Sequence, residues 1–154
     1  MFYKIEDYRI LAASRLPKMS LDYFNGGAND MVSLNSKSFD QLKLKTRIFN
    51  SSEECDLKCD FLGQQVDSPI CVASTAFQMM AHPDGELAVA NACNLTKTPF
   101  ALSSNSNTAM EEFKDHTTAK VYQIYMSKDP AVNSDMWLRA KCSGFEGFAL
   151  TCDT

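Results

Sequence analysis

The sequence has little of several features that mark common protein classes. Its 154 residues include six glycines and five prolines, too few for a collagen-like or linker-like chain. No apolar run approaches the roughly 20 residues that a membrane span needs, because polar residues and proline interrupt the longest uncharged stretch, 68–83. The acidic Glu6 and Asp7 lie within the first ten residues, so a cleaved signal peptide is not expected.

The chain also lacks a large excess of charge of either sign. Fifteen lysines and arginines against nineteen aspartates and glutamates give a net charge of -4, so we expect neither a nucleic-acid nor a membrane partner. Neither of the common glycine-rich phosphate motifs occurs. A hydrophobic fraction of 45% is enough to bury a core, and the length suits one domain.

The six cysteines have no spacing that predicts a metal site. Cys55 and Cys59 form a single C-x3-C pair, and the chain has only two histidines, so no zinc site is expected. The even count is compatible with disulfides, but Cys71, Cys93 and Cys152 lie inside apolar runs. We therefore predict reduced, mostly buried thiols in an intracellular protein.

The chain divides into a helical lead-in and a repeating part. Helical spacing and capping signals predict helices over 4–15, from 17 to about 25, and onward from 29–30. Residues 43–47 alternate charged and apolar side chains, which suggests a short strand or extended segment. Its cations could bind a phosphate or simply face solvent.

The second part alternates apolar runs with helical patterns. A hairpin is predicted over 56–67, and apolar runs then begin at about 69, 100, 121 and 147. Between them we predict a helix over 84–95, a short helix opened by a Thr108/Glu111 capping box, and a helix that begins at Asp129 and Pro130. This alternation predicts βαβ units with a parallel sheet and right-handed connections.

Hydrogen-bonding residues close all four apolar runs. They are Ser74 and Thr75, Ser103 and Ser104, Gln123 and Tyr125, and Thr151 and Asp153. Ligands of parallel α/β sheets bind at the carboxyl ends of the strands, so we predict a ligand site there. The alternative is turn and helix-cap chemistry, which accounts poorly for Gln123 and Tyr125 because they lie within the strand pattern. Asp153 would be either an orienting carboxylate or an exposed terminal acid.

The order and spacing of short segments resemble the N-terminal part of the FMN-dependent α-hydroxy acid oxidases and dehydrogenases, the glycolate oxidase type. The segments are Leu-Pro-Lys at 16–18, Asp-Tyr-Phe at 22–24, Gly-Ala-Asn-Asp at 27–30, Ser-Pro-Ile at 68–70, Ser-Thr-Ala at 74–76, Met-Ala-His-Pro-Asp-Gly-Glu at 80–86, Leu-Ser-Ser at 102–104, Gln-Ile-Tyr at 123–125 and Leu-Thr-Cys-Asp-Thr at 150–154.

The resemblance implies a fold and an activity. The fold is the N-terminal half of a (β/α)8 TIM barrel, with a helical lead-in over 1–50 and a hairpin plus the first four barrel strands over 51–154. The activity is FMN-dependent oxidation of a small (S)-2-hydroxy acid to the 2-oxo acid, with O2 reduced to hydrogen peroxide. A full-length homo-oligomer is expected inside the cell, peroxisomal if that form carries a C-terminal address.

The resemblance also assigns roles by position. It implies cofactor contacts from Ser74, Thr75, Ala76, Ser103, Gln123 and Thr151. Tyr23 would bind the substrate carboxylate, and Tyr125 the substrate hydroxyl or carboxylate. Asp153 would orient a catalytic histidine, so the catalytic candidates are Asp153 and Tyr125. Asn105 stands where many glycolate oxidases have tryptophan, which changes the wall of the substrate site.

Several family residues have no match in this chain. The histidine base, the lysine near the flavin and the arginines for substrate and phosphate lie in the second half of family members, which are more than twice this long. We therefore expect the 154 residues alone to be catalytically silent. Four strands cannot close an eight-stranded barrel, so exposed edges predict association. The alternative is a truncated, non-catalytic half-barrel that binds a flavin or a partner.

Overall fold

The computed structural model describes residues 4–28, 31–49, 55–116 and 118–153. The chain divides into two compact units, residues 1–54 and 55–154. The described residues of the first unit form three helices: α1 over Ile5–Arg15, α2 over Lys18–Asn25 and α3 over Met31–Asp40.

The helices of the first unit follow the sequence pattern. The backbone N–H of Lys4 donates to the Asp7 carboxylate at 3.1 Å, which closes the start of α1. Pro17 directly precedes α2, where its missing N–H costs no helical hydrogen bond. The cap expected at 29–30 lies outside the described residues. Residues 43–47 are exposed and form no strand, so the short strand considered for them is absent.

The second unit combines a hairpin with a parallel sheet. The antiparallel hairpin pairs β1 (Cys59–Phe61) with β2 (Gln64–Val66). The sheet has the order β3 (Phe100–Ser103), β4 (Lys120–Ile124) and β5 (Gly147–Leu150), with all neighbours parallel. Its long helices are α4 (Gly85–Thr96) and α5 (Pro130–Cys142), and two 3₁₀ turns cover Gln78–Met80 and Met110–Phe113.

The first of the four predicted barrel strands is reduced to a single bridging residue. Val72 pairs in parallel with Phe100. The Val72 N–H donates to the Pro99 carbonyl, and the Ala101 N–H donates to the Val72 carbonyl, both at 2.9 Å. The parallel alternation predicted from the sequence is therefore present, with three strands and one bridge among the described residues.

The core lies on the helix-facing side of the sheet. Alternate residues of β3 and β4 are buried there, Phe100 and Leu102 from β3 and Tyr122 and Ile124 from β4. They pack against Ala90, Cys93, Phe113, Ala140 and Phe145. The opposite side of the sheet carries Ala101 and Ser103 from β3, and Val121 and Gln123 from β4.

Two local predictions are wrong. The cysteines are free as expected, but among the described ones only Cys93 is buried, and Cys71 and Cys152 are exposed. Cys71 points away from its half-buried neighbour Val72, and Cys152 lies beyond the end of β5. Thr108 does not cap the turn at Met110–Phe113, because its hydroxyl donates to a buried glutamate instead.

The described residues also bear on membranes and metals. None of the helices they form is long and apolar enough to cross a bilayer. Over the same residues, no group of three or more histidine, cysteine, aspartate or glutamate side chains is arranged to hold a metal ion.

Candidate functional site

The carboxyl ends of the three strands are joined by one row of side-chain hydrogen bonds. The Ser103 hydroxyl donates to Gln123 Oε1 at 3.1 Å, and Gln123 Nε2 donates to Thr151 Oγ1 at 2.8 Å. Ser103 and Gln123 are paired in register across β3 and β4, and Thr151 directly follows β5. The row therefore crosses the whole described sheet at the edge where α/β ligands bind.

Backbone groups hold this row in one arrangement. The Ser104 N–H is a second donor to Gln123 Oε1 at 3.2 Å, and the Asn105 N–H donates to Ser103 Oγ at 3.1 Å. Gln123 and Ser103 are each only 6% exposed. The amide is thus oriented with its oxygen toward β3 and its nitrogen toward Thr151. Because Thr151 Oγ1 accepts from that nitrogen, its hydroxyl hydrogen is directed to another acceptor.

The predicted Ser-Thr-Ala segment lies beside the loop that follows β3. Ser74 and Ala76 are half-buried, and Thr75 is exposed. The next residue, Phe77, has a left-handed backbone (φ 55°), and its N–H donates to the Asn105 carbonyl at 3.2 Å. The backbone on the C-terminal side of the segment is thus bonded directly to the β3 loop.

The sequence analysis missed the residue that connects these two loops. Glu86, in the first turn of α4, is fully buried. Its Oε1 accepts from the backbone N–H groups of Gln78 and Asn107, both at 3.1 Å, and its Oε2 accepts from the Thr108 hydroxyl at 3.2 Å. An acidic residue in a first helical turn usually faces solvent, so no local pattern predicted this role.

A cavity of about 340 Å³ opens next to the β3 loop. Its lining includes residues 102–104 and 106–110, Tyr122 and Arg139. Ser104 Oγ is buried and has no hydrogen-bond partner in the described part of the chain. Arg139 forms a two-pronged pair with Glu111 at 2.6 and 3.2 Å, and this hydrogen-bonded guanidinium lowers the pKa of the Glu111 carboxyl.

The remaining predicted site residues lie outside the bonded row. Tyr125 directly follows β4 and is 40% exposed. Asp153 follows Thr151 by two residues and is exposed, as is the Asn105 side chain. Tyr23 lies in α2 of the first unit, where its ring meets Phe24 edge to face at 5.1 Å between centroids.

The second unit is thus an α/β structure whose parallel strands end in a connected polar edge of the kind that holds a cofactor or substrate. Comparison with known proteins identifies the family. The sequence model of the FMN-dependent dehydrogenases matches residues 12–154, and the chain belongs to this family. The resemblance noted from the sequence is confirmed, and the cofactor of the family is FMN.

Individual relatives agree with this assignment. Human 2-hydroxyacid oxidase 1 is 39% identical over 154 residues, covering 97% of this chain and 42% of that protein. Maize glycolate oxidase 1 is 37% identical over 153 residues with the same coverage. The crystal structure of mandelate oxidase matches all of this chain and 46% of its own, with a TM-score of 0.89 and 26% identity. The chain spans about two fifths of the length of the curated relatives it matches.

Proposed function

We propose that this chain forms the flavin-ring site and part of the substrate site of an FMN-dependent 2-hydroxy acid oxidase. The reaction converts a small (S)-2-hydroxy acid and O2 into the 2-oxo acid and hydrogen peroxide. The observation that carries the proposal is the hydrogen-bonded row of Ser103, Gln123 and Thr151 at the strand ends. Family membership supplies the chemistry, and the row supplies the matching donor set.

The row fits one edge of a flavin. The pyrimidine ring of FMN presents carbonyl oxygens, to which the second Nε2 hydrogen of Gln123 and the Thr151 hydroxyl can donate. When bound, FMN accepts the two electrons removed from the substrate. Ser103, Gln123 and Thr151 would hold the pyrimidine edge, and the backbone of 74–76 would face the reactive part of the ring.

The substrate contacts are proposed by position. Tyr125 would hydrogen-bond the substrate hydroxyl or carboxylate, and Tyr23 the carboxylate. Asn105 would replace a large apolar wall with a small polar one, which leaves room for a longer or more polar side chain on the hydroxy acid. Asp153 would orient a histidine base.

Neither histidine of the 154 residues is proposed as that base. His116 lies at the N-terminal end of β4, opposite the polar row, and its Nε2 is 3.0 Å from Asn91 Oδ1. His82 Nδ1 accepts from the Asp84 N–H at 3.2 Å ahead of α4. A base must reach the proton it removes, so residues 1–154 by themselves are expected to bind but not to turn over.

FMN titration of the chain tests the flavin site. We expect binding, seen as quenching of FMN fluorescence, and a dissociation constant raised about tenfold or more in Gln123→Leu, because the row loses its central amide. Gln65→Leu, on the exposed face of β2, is the matched control and should bind like the parent. Equal affinity in Gln123→Leu would show that the flavin does not use the row.

Catalysis is tested separately. The intact mass of the native protein is measured first, and a mass above twice 17.2 kDa would direct the assay to that longer form. There, peroxide production from glycolate, lactate or mandelate is expected. The 154-residue chain with FMN should produce none. Turnover by the 154-residue chain would contradict the expectation that it is catalytically inactive. A native mass near 17.2 kDa together with flavin binding would favour the non-catalytic half-barrel.

A further inference from the structure

Three consecutive backbone N–H groups after the Ser-Thr-Ala segment donate to acceptors in the loop that follows β3 and in the first turn of α4. Those of Phe77, Gln78 and Met79 donate to the Asn105 carbonyl, Glu86 Oε1 and Asn107 Oδ1, at 3.2, 3.1 and 3.1 Å. Phe77 is left-handed, and the residues after it form a 3₁₀ turn. Such a change of backbone hand turns successive N–H groups to one side, which creates a small anion-binding concavity.

One of the three acceptors in this concavity, the one for the Gln78 N–H, is a carboxylate of the protein itself. Glu86 is 0% exposed, and none of the ion pairs in the described part of the chain includes it. Its carboxylate instead accepts from the Gln78 and Asn107 N–H groups and the Thr108 hydroxyl. It also lies in the first turn of α4, where the helix dipole favours a negative charge.

The two segments joined here carry four of the six proposed cofactor contacts, Ser74, Thr75, Ala76 and Ser103. One leads directly from residues 74–76, and the other directly from Ser103 and Asn105. A buried carboxylate is costly to desolvate, and an apolar side chain of similar size would fill the same volume. The apolar side chain would lack the two carboxylate oxygens of Glu86, which accept hydrogen bonds from both loops and so set the spacing between them.

We infer that Glu86, with Asn107 beside it, is a positioning residue that holds segment 74–79 against loop 103–108 and thereby sets the shape of the flavin edge. The inference rests on the proposed function for its effect on FMN. Glu86 does not touch the cofactor or substrate; it acts through the backbone of the two loops.

Hydrogen exchange tests the positioning directly, without cofactor. In Glu86→Leu, the amides of 77–79 and 107 are expected to exchange at least about tenfold faster, while those of β4 stay protected. Glu86→Gln should restore much of the protection, because its Oε1 still accepts both N–H groups and its amide can donate to Thr108. Glu112→Leu, an exposed acid of the Met110–Phe113 turn, is the matched control. Unchanged exchange at 77–79 in Glu86→Leu would overturn the inference.

FMN affinity gives the second measurement. Glu86→Leu should raise the dissociation constant about tenfold, with recovery in Glu86→Gln and no change in Glu112→Leu. If the parent chain binds FMN and Glu86→Leu binds it equally well, the inference fails and the proposed function stands. If the parent chain binds no FMN, the proposed function fails for this chain, and the exchange pattern still decides whether Glu86 holds the loops.

Asn107→Ala covers the case in which Glu86→Leu does not fold. Asn107 is exposed, and the substitution removes only the acceptor for the Met79 N–H. Faster exchange at Met79 and several-fold weaker FMN binding are expected. Parent-like exchange and affinity in this variant would overturn the inference.

Discussion

Lys120, at the start of β4, shows how a single buried charge can be satisfied without an acidic partner. Its side chain is 2% exposed, and its Nζ donates to the carbonyls of Phe113, His116 and Ser143 at 2.8, 3.0 and 3.2 Å. The Phe113 and Ser143 carbonyls lie at the ends of the Met110–Phe113 turn and of α5, where the helix dipole is negative. Lys120 thus ties two helix ends to the sheet.

Replacing Lys120 is expected to destabilise the fold. Lys120→Met keeps the aliphatic stem but removes the ammonium from three carbonyls, of which the Phe113 carbonyl keeps the His116 N–H as a donor, and this should cost about 2–4 kcal/mol in the free energy of unfolding. Urea unfolding measures this against Lys128→Met, an exposed control that should stay within about 0.5 kcal/mol of the parent. A Lys120→Met chain as stable as the parent would mean that water replaces the ammonium.

The same residue predicts a pH dependence. Burial lowers the pKa of Lys120, against the opposing effects of Glu146 and Asp115. The pKa of Lys120 in the folded chain therefore lies below the ordinary lysine pKa of about 10.4 that applies in the unfolded chain. At a pH between these two pKa values, the unfolded chain binds more protons than the folded chain. The contribution of Lys120 to the free energy of unfolding is therefore complete above the ordinary pKa. It is lost as the pH falls through the pKa of Lys120 in the folded chain. The stability gap between the parent and Lys120→Met should widen from pH 8 toward pH 10.5, and a constant gap would contradict the prediction.

At the scale of elements, the start of α4 shows a position where both the backbone conformation and the packing favour glycine. Gly85 has φ +43°, and a Cβ there would lie 2.8 Å from Met79 Cγ and 3.2 Å from the Met79 backbone nitrogen. The helix start therefore approaches the 3₁₀ turn so closely that a Cβ at Gly85 would require Met79 to shift. This close approach brings Glu86, the next residue, under the turn.

Two glycine substitutions separate backbone strain from this contact. Gly63, in the β1–β2 turn, also has positive φ (+82°), but nothing lies within 4 Å of its would-be Cβ. Gly63→Ala should cost about 1 kcal/mol from strain alone, and Gly85→Ala about 2–3 kcal/mol from strain plus the clash. Urea unfolding of both variants checks this. Equal losses would show that Met79 moves aside freely.

The elements themselves were largely predictable, because they depend on local signals. Asp129 caps α5, its Oδ1 accepting the Ala131 N–H at 2.9 Å, and Pro130 occupies the first turn as the sequence indicated. The Thr108 capping box failed for a non-local reason. The Thr108 hydroxyl donates to the Glu86 carboxylate, 22 residues away in sequence, instead of capping the Met110–Phe113 turn.

At the scale of the whole molecule, the second unit exposes an apolar groove of about 570 Å³ along α5 and β5. Trp137 stacks on Phe148 with 3.9 Å between ring centroids, and Leu138 is 62% exposed. Exposed apolar patches rimmed by polar residues favour association. The prediction of association made from open strand edges therefore has a defined surface to test.

We expect the 154-residue chain to associate as its concentration rises, and Leu138→Glu to weaken that association. Sedimentation velocity across a concentration series measures it. Leu95→Glu, an equally drastic change at an 87% exposed leucine of α4, is the matched control and should behave like the parent. A chain that stays monomeric, or an equal response of both variants, would exclude the groove as the contact.

The sequence by itself determined the order of helices and strands, the family, and the polar residues that end the strands, because capping, periodicity and short motifs are local. Only the tertiary structure decided how those residues connect. The bonds from Gln123 to Ser103 and Thr151 span 20 and 28 residues, and the bond from Glu86 to Asn107 spans 21. Such contacts form only when parallel strands bring their carboxyl ends to one edge, where a buried amide and a buried carboxylate must find their partners in neighbouring loops.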